Sequence, residues 1–141
     1  MTSKILAAVL ASIVALPCNA FEAVTLTDYS GAELFQRFCA SCHGDAGRGD
    51  GPVARSLAVV VPDLTLISRR YGEFPAARIA ETIDGRGLVV TAHGAPSMPV
   101  WGYEFWLEEG ADIVAEREMR DIIARLVQYI ASIQPGARGE E

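Results

Sequence analysis

The chain has 141 residues, half of them hydrophobic, one lysine and a formal net charge of −6. That length suits one domain with a modest core, and the acidic balance argues against nucleic acid as a partner. A basic docking surface on a partner protein fits such a charge better, although mild acidity also serves solubility alone.

Residues 1–20 read as an export signal. Lys4 supplies the positive start, Ile5 to Leu16 an uninterrupted apolar or small run, and Pro17-Cys18-Asn19-Ala20 a small-residue cleavage site. Twelve residues from Ile5 to Leu16 fall short of the roughly twenty needed to cross hydrocarbon, which disfavours a membrane anchor. Lipid attachment at Cys18 is disfavoured by Pro17 just before it. Cleavage after about Ala20 would leave a mature domain of residues 21–141 with two cysteines. It would also leave 11 Arg against 18 acidic residues, a net charge of about −7. The expected location is the periplasm.

Phe21 to Asp28 is a lead-in. Ser30-Gly31-Ala32-Glu33 fits a capping box, in which a hydroxyl and a carboxylate close the first turn of a helix. Leu34, Phe35 and Phe38 give that helix an apolar side, and it runs into Cys39-Ala40-Ser41-Cys42-His43. Cys-x-x-Cys-His is the attachment sequence for a c-type haem. A shuffled chain with 3 Cys and 2 His produces it about once in a thousand trials. Thiols at i and i+3 share one side of a helical turn and can reach both vinyl groups of one porphyrin. The next residue, His43, is carried under the iron as a ligand. Other uses of the pair fit less well. A thioredoxin-like redox pair needs a βαβ surround that the pattern lacks. A zinc ribbon needs a second Cys/His pair, and no cysteine follows Cys42. A Cys39–Cys42 disulfide would close a very small loop.

Gly44 to Pro52 holds four glycines in eight residues and reads as a turn along the haem edge. No Gly-Lys-Ser/Thr follows, so it is not a phosphate loop. Val53 to Leu57 predicts a helical turn, and Ala58-Val59-Val60-Val61 an extended run with no partner to pair with. Thr65 to Tyr71 predicts a short helix. Phe74 to Gly85 predicts a clearer one, with Pro75 at its first position and Gly85 as its stop. Residues 86–101 read as loop, and Phe105 to Val114 is ambiguous and acidic. Glu116 to Ile133 predicts an amphipathic helix with Met119, Ile122, Ile123, Leu126, Ile130 and Ile133 on its buried face. Pro135-Gly136 ends it.

Three side chains compete for the far side of the iron. Met119 lies on the apolar stripe of the last helix and suits core filling. His93 suits an exposed or hydrogen-bonding role. Met98, held between Pro96 and Pro99 in an irregular loop, is the expected sixth ligand. A thioether there favours ferrous iron and raises the reduction potential relative to bis-histidine ligation.

In Gly31 and Phe35, Cys39 to His43, Pro62-Asp63-Leu64, Met98-Pro99, and Leu126 with Tyr129, the chain resembles the monohaem class I cytochromes c. Pro62-Asp63-Leu64-Thr65, Ile83-Asp84-Gly85-Arg86 and His93-Gly94 leading to Met98-Pro99-Val100-Trp101-Gly102 look like small periplasmic bacterial members. The resemblance implies an all-α cytochrome c fold, three to five short helices around one covalently bound haem c, with the N- and C-terminal helices crossing at Gly31 and Tyr129. It implies that the Pro62 carbonyl accepts the second N–H of His43, that Leu64 packs on the haem face, and that Arg86 and Trp101 meet the propionates. The chain departs from the family in lacking a ring of lysines and in its longer acidic stretch from Gly102 to Glu118.

The expected function is a periplasmic one-electron carrier rather than an enzyme, with haem-binding residues Cys39, Cys42, His43 and Met98, the last two as iron ligands. Its electrons would come from a quinol-oxidising complex or a dehydrogenase and pass to an oxidase or reductase. An alternative is a haem electron-transfer subunit of a periplasmic dehydrogenase, anchored by Tyr103-Glu104-Phe105-Trp106-Leu107. A peroxidase or gas sensor would need an open iron site.

Overall fold

The computed structural model describes residues 24–87 and 98–136. The export signal with Cys18, His93, Pro96 and the C-terminal tail lie outside the described residues. Among the described residues there are six helices: α1 (Gly31–Phe38), α2 (Ala40–His43), α3 (Ile67–Tyr71), α4 (Ala76–Asp84), α5 (Trp101–Glu108) and α6 (Ile113–Ser132). Single 3-10 turns occupy Leu26–Asp28, Ala54–Ser56 and Leu64–Leu66. The described residues contain no strand, so the fold is all-α as expected; of the run read as extended, Ala58 and Val59 form a bend and Val60 and Val61 carry no regular structure.

The start of α1 is the capping box read from its sequence. The Ser30 amide donates to Glu33 Oε2 at 2.8 Å, and the Glu33 amide donates to Ser30 Oγ at 3.3 Å. At Cys39, with φ −112°, the helix is interrupted, and α2 begins as a separate turn. This break and the extra helix α5 bring the count to six rather than three to five.

Helices α1 and α6 pack across each other and form the centre of the core. Leu34 and Phe35 from α1 and Met119, Ile122 and Leu126 from α6 have no exposed surface. Burial of such a side chain contributes about 1.5–3 kcal/mol. The crossing needs a glycine: a Cβ on Gly31 would run into the Arg125 carbonyl and the Tyr129 side chain. Tyr129 instead lays its ring 5.0 Å from that of Phe35. The crossing expected at Gly31 and Tyr129 is therefore present. Arg125 fastens its outer side by donating to the carbonyls of Thr27 at 2.7 Å and Tyr29 at 2.6 Å.

Two readings of the second half need correction. Trp101, assigned to loop, opens α5, and the ambiguous acidic stretch resolves into α5, a turn, and the start of α6. Helix α5 puts Phe105 in the core at 1 % exposure and turns Glu104 and Glu108 to solvent. Its single buried turn is too short to show a clear period. Helix α6 starts three residues earlier than predicted because Asp112 caps it, accepting from the Val114 and Ala115 amides at 2.8 Å. Pro75 is the cap of α4 rather than its first residue.

Candidate haem-binding site

The loop after α2 folds back beneath it. Gly49 N–H donates to the His43 carbonyl at 2.8 Å, Gly51 N–H to Cys42 at 3.2 Å and Val53 N–H to Ser41 at 3.0 Å. Gly49 adopts φ 77° where a Cβ would meet the Val61 carbonyl, so the run of glycines is what lets this loop lie against the segment carrying Pro62. The Leu64 amide then donates to the Gly47 carbonyl at 2.7 Å. Motif, loop and Pro62-Asp63-Leu64 thus form one connected unit.

Beside that unit is a cavity of about 400 Å³. Cys39, Cys42 and His43 line it, as does Met98. The remaining wall is apolar: Phe38, Leu57, Val59 to Pro62, Leu64 and Ile67 on one side of the sequence, Ile79, Ile83, Pro99, Val100, Trp101 and Ile130 on the other. Apart from the motif, only Thr82 and Trp101 bring a polar side-chain atom, and the Thr82 hydroxyl donates to the Arg78 carbonyl at 2.8 Å. Val60, 94 % exposed, marks where the wall meets solvent.

His43 Nδ1 lies 3.4 Å from the Pro62 carbonyl oxygen. A carbonyl can only accept, so this contact requires the proton on Nδ1 and leaves the lone pair on Nε2. Burial lowers the pKa of His43, opposed by that hydrogen bond, and so favours the neutral ring that a metal needs. Burial also pushes the Cys39 thiol up to about 12, with neighbouring Cys42 adding to the effect. A thiol so hard to ionise is the opposite of a thioredoxin-like nucleophile. Among the described residues no cluster of His, Cys, Asp and Glu has the make-up of a zinc site.

These residues fit a c-type haem. Two thiols on one turn, an oriented neutral imidazole and a thioether line one apolar space, and among the described residues no charged side chain lines it. Leu64 and Trp101 line the cavity. Arg86 does not. Its guanidinium is held by Asp84 at 2.6 Å and Glu116 at 2.8 Å. Met119, weighed as a ligand and as core, is wholly buried on α6 and does not line the cavity.

Sequence reasoning missed Gln134. Its side chain is buried and fully bonded: Oε1 accepts from the Ser68 amide at 3.0 Å, and Nε2 donates to the Leu64 and Ile130 carbonyls at 2.8 Å. It thereby ties the end of α6 to the cavity wall at Leu64. A glutamine just past a helix end and before Pro135-Gly136 carries no signal of such a role.

Among the described residues no helix is long and apolar enough to cross a membrane. No curated protein and no solved structure matches the chain. A family model described as Cytochrome c matches residues 30–134, from the cap of α1 to Gln134. This span takes in the motif, the cavity and the helix crossing, and the chain belongs to the cytochrome c family of haem-binding electron-transfer proteins.

Proposed function

We propose that this protein is an exported, periplasmic one-electron carrier holding a single haem c, attached through thioethers at Cys39 and Cys42 and ligated by His43 and Met98. The observation that carries the reading is the convergence of these four side chains on one apolar cavity. When bound, the haem supplies reversible one-electron exchange at iron. The protein's part is to hold and tune. The Pro62 carbonyl orients His43 through Nδ1 and strengthens its donation from Nε2. The apolar wall keeps water away, which limits reorganisation when charge changes. Pro99 and Val100 hold the backbone beside Met98. With both axial positions taken, no site remains for a substrate, and no side chain is called on for acid–base chemistry.

Donors and acceptors are redox proteins, of the quinol-oxidising or dehydrogenase kind on one side and the oxidase or reductase kind on the other. A permanent haem subunit of a dehydrogenase is the second reading, favoured by the exposure of Tyr103 (49 %) and Leu107 (45 %). A haem-containing peak at the monomer position in gel filtration of native extract would count against it.

The test is a redox titration followed by visible spectroscopy on the matured protein. The wild type should show the weak red iron–sulfur charge-transfer band in the ferric state. Met98→Ala should abolish it and lower the potential by on the order of 0.1 V, a fraction of the ~0.8 V range that axial ligands command. Survival of the band in Met98→Ala refutes the ligand assignment.

A further inference from the structure

Helix α5 has a second face that the cavity does not use. Tyr103 and Leu107, one helical turn apart, are both about half exposed. The Tyr103 ring lies 5.9 Å from that of Trp106, whose Nε1 donates to the Asp112 carbonyl at 3.1 Å. Ile113 follows immediately and is 83 % exposed. The ring contact and the Trp106 hydrogen bond place Tyr103, Trp106 and the start of α6 at one corner, where Leu107 and Ile113 are also exposed. Phe105, by contrast, is core, so the aromatic run divides between inside and outside.

The patch has an acidic border. From Gly87 to Glu116 the sequence contains five carboxylates and neither lysine nor arginine. Two of them are committed elsewhere: Glu116 pairs with Arg86 and Arg120, and Glu109 accepts from the Leu26 amide. Asp112 caps α6. Glu104 and Glu108 are exposed and have no ion-pair partner among the described residues. The crowding is felt locally, since burial and then the charges of Glu118, Glu108 and Asp28 make Glu109 harder to ionise.

We propose that the Tyr103, Leu107 and Ile113 face, bordered by Glu104 and Glu108, docks a redox protein that presents an apolar centre ringed by lysine or arginine. Charge selects this occupant. A symmetric contact between two copies would set carboxylates near carboxylates, and an anionic lipid surface would be repelled. The position suits electron transfer: α5 begins at Trp101, a cavity-lining residue, and Tyr103 follows two residues later. The proposal rests on the carrier reading above and names the chemistry of its partner.

The test uses the haem-loaded protein and, as probe, a basic cytochrome whose haem edge is ringed by lysine. Electron transfer to the ferric probe is followed by stopped flow, with amide shifts mapped in parallel. At low ionic strength Glu104→Gln/Glu108→Gln should slow the second-order rate about fivefold or more, and the difference should vanish near 1 M salt, where the Debye length is ~3 Å. Tyr103→Ser should weaken complex formation at every salt concentration. A control pair outside α5 and α6, Glu73→Gln/Glu81→Gln, should leave the rate within about twofold. Shifts should centre on Tyr103 to Ile113. The proposal is overturned if the control pair slows the reaction as much as the α5 pair, if shifts centre on Val59 to Val61, or if sedimentation shows a dimer closed through this face. Spectra of each variant separate this failure from failure of the carrier reading: a wild type without the red band refutes the ligand set and leaves the shift map to judge the surface.

Discussion

Gln134 makes three hydrogen bonds at the edge of the haem cavity, and Leu cannot replace any of them. Gln134→Leu keeps the volume but leaves the half-buried Ser68 N–H and Leu64 carbonyl without their partner. The expected loss is about 1–3 kcal/mol in urea unfolding of the haem-loaded protein. An unchanged midpoint would mean that water replaces the side chain. The residues of the motif were readable because covalent attachment demands both a spacing and a residue type, Cys39, Cys42 and His43. Met98 could be put forward only by weighing it against Met119 and His93, together with its flanking prolines, and it lines the cavity. Gln134 was unreadable for a physical reason: its partners lie 70 and 66 positions away in sequence, at Leu64 and Ser68.

At the scale of elements, the segment carrying Met98 is fixed at its base. Gly85, at the end of α4, lies against Val100, and a Cβ on Gly102 would run into Asp84 and Arg86. Arg86 bridges Asp84 on α4 and Glu116 on α6, which joins these two helices beside that segment. Hydrogen bonds from Arg86, then Arg120, hold Glu116 down to about 2, and those from Arg86 hold Asp84 below its ordinary range despite partial burial. Both folded-state values are depressed, so their stabilisation is present above the ordinary carboxylate range. It is lost as pH falls from the ordinary glutamate value of 4.5 toward about 2. Arg86→Ala should therefore lower the urea midpoint at neutral pH, and its difference from wild type should shrink across that window. The red band should also be lost at lower urea. A pH-independent difference would refute the ion-pair account. The long, strongly periodic α6 was legible within three residues at its start. Helix α5 was not, because its inward side is set by what it packs against, chiefly Phe38 and α6, rather than by its own short pattern. Arg86 was assigned to a propionate because the sequence could not reveal Asp84 and Glu116 on either side of it.

At the scale of the molecule, α1 and α6 pack together in the core, and the motif with Val59 to Pro62 and Leu64 forms one wall of the cavity, braced from behind by the glycine loop. Segments from α4, α5 and the stretch before α5 complete the enclosure. The outside carries the acidic charge, and residues 87–116 hold five carboxylates and no base. Inside, the described lining is mostly apolar, and two cysteines and a histidine stand on it. The most direct measurement is therefore whether pigment and polypeptide are one covalent molecule. Protein matured with haem-attachment machinery is extracted with acidified organic solvent, and the polypeptide is weighed by mass spectrometry. The account predicts that the colour stays with the protein and that the mass rises by one haem, with Cys39→Ala/Cys42→Ala abolishing both. Colourless protein, or pigment that passes into the solvent, would contradict it.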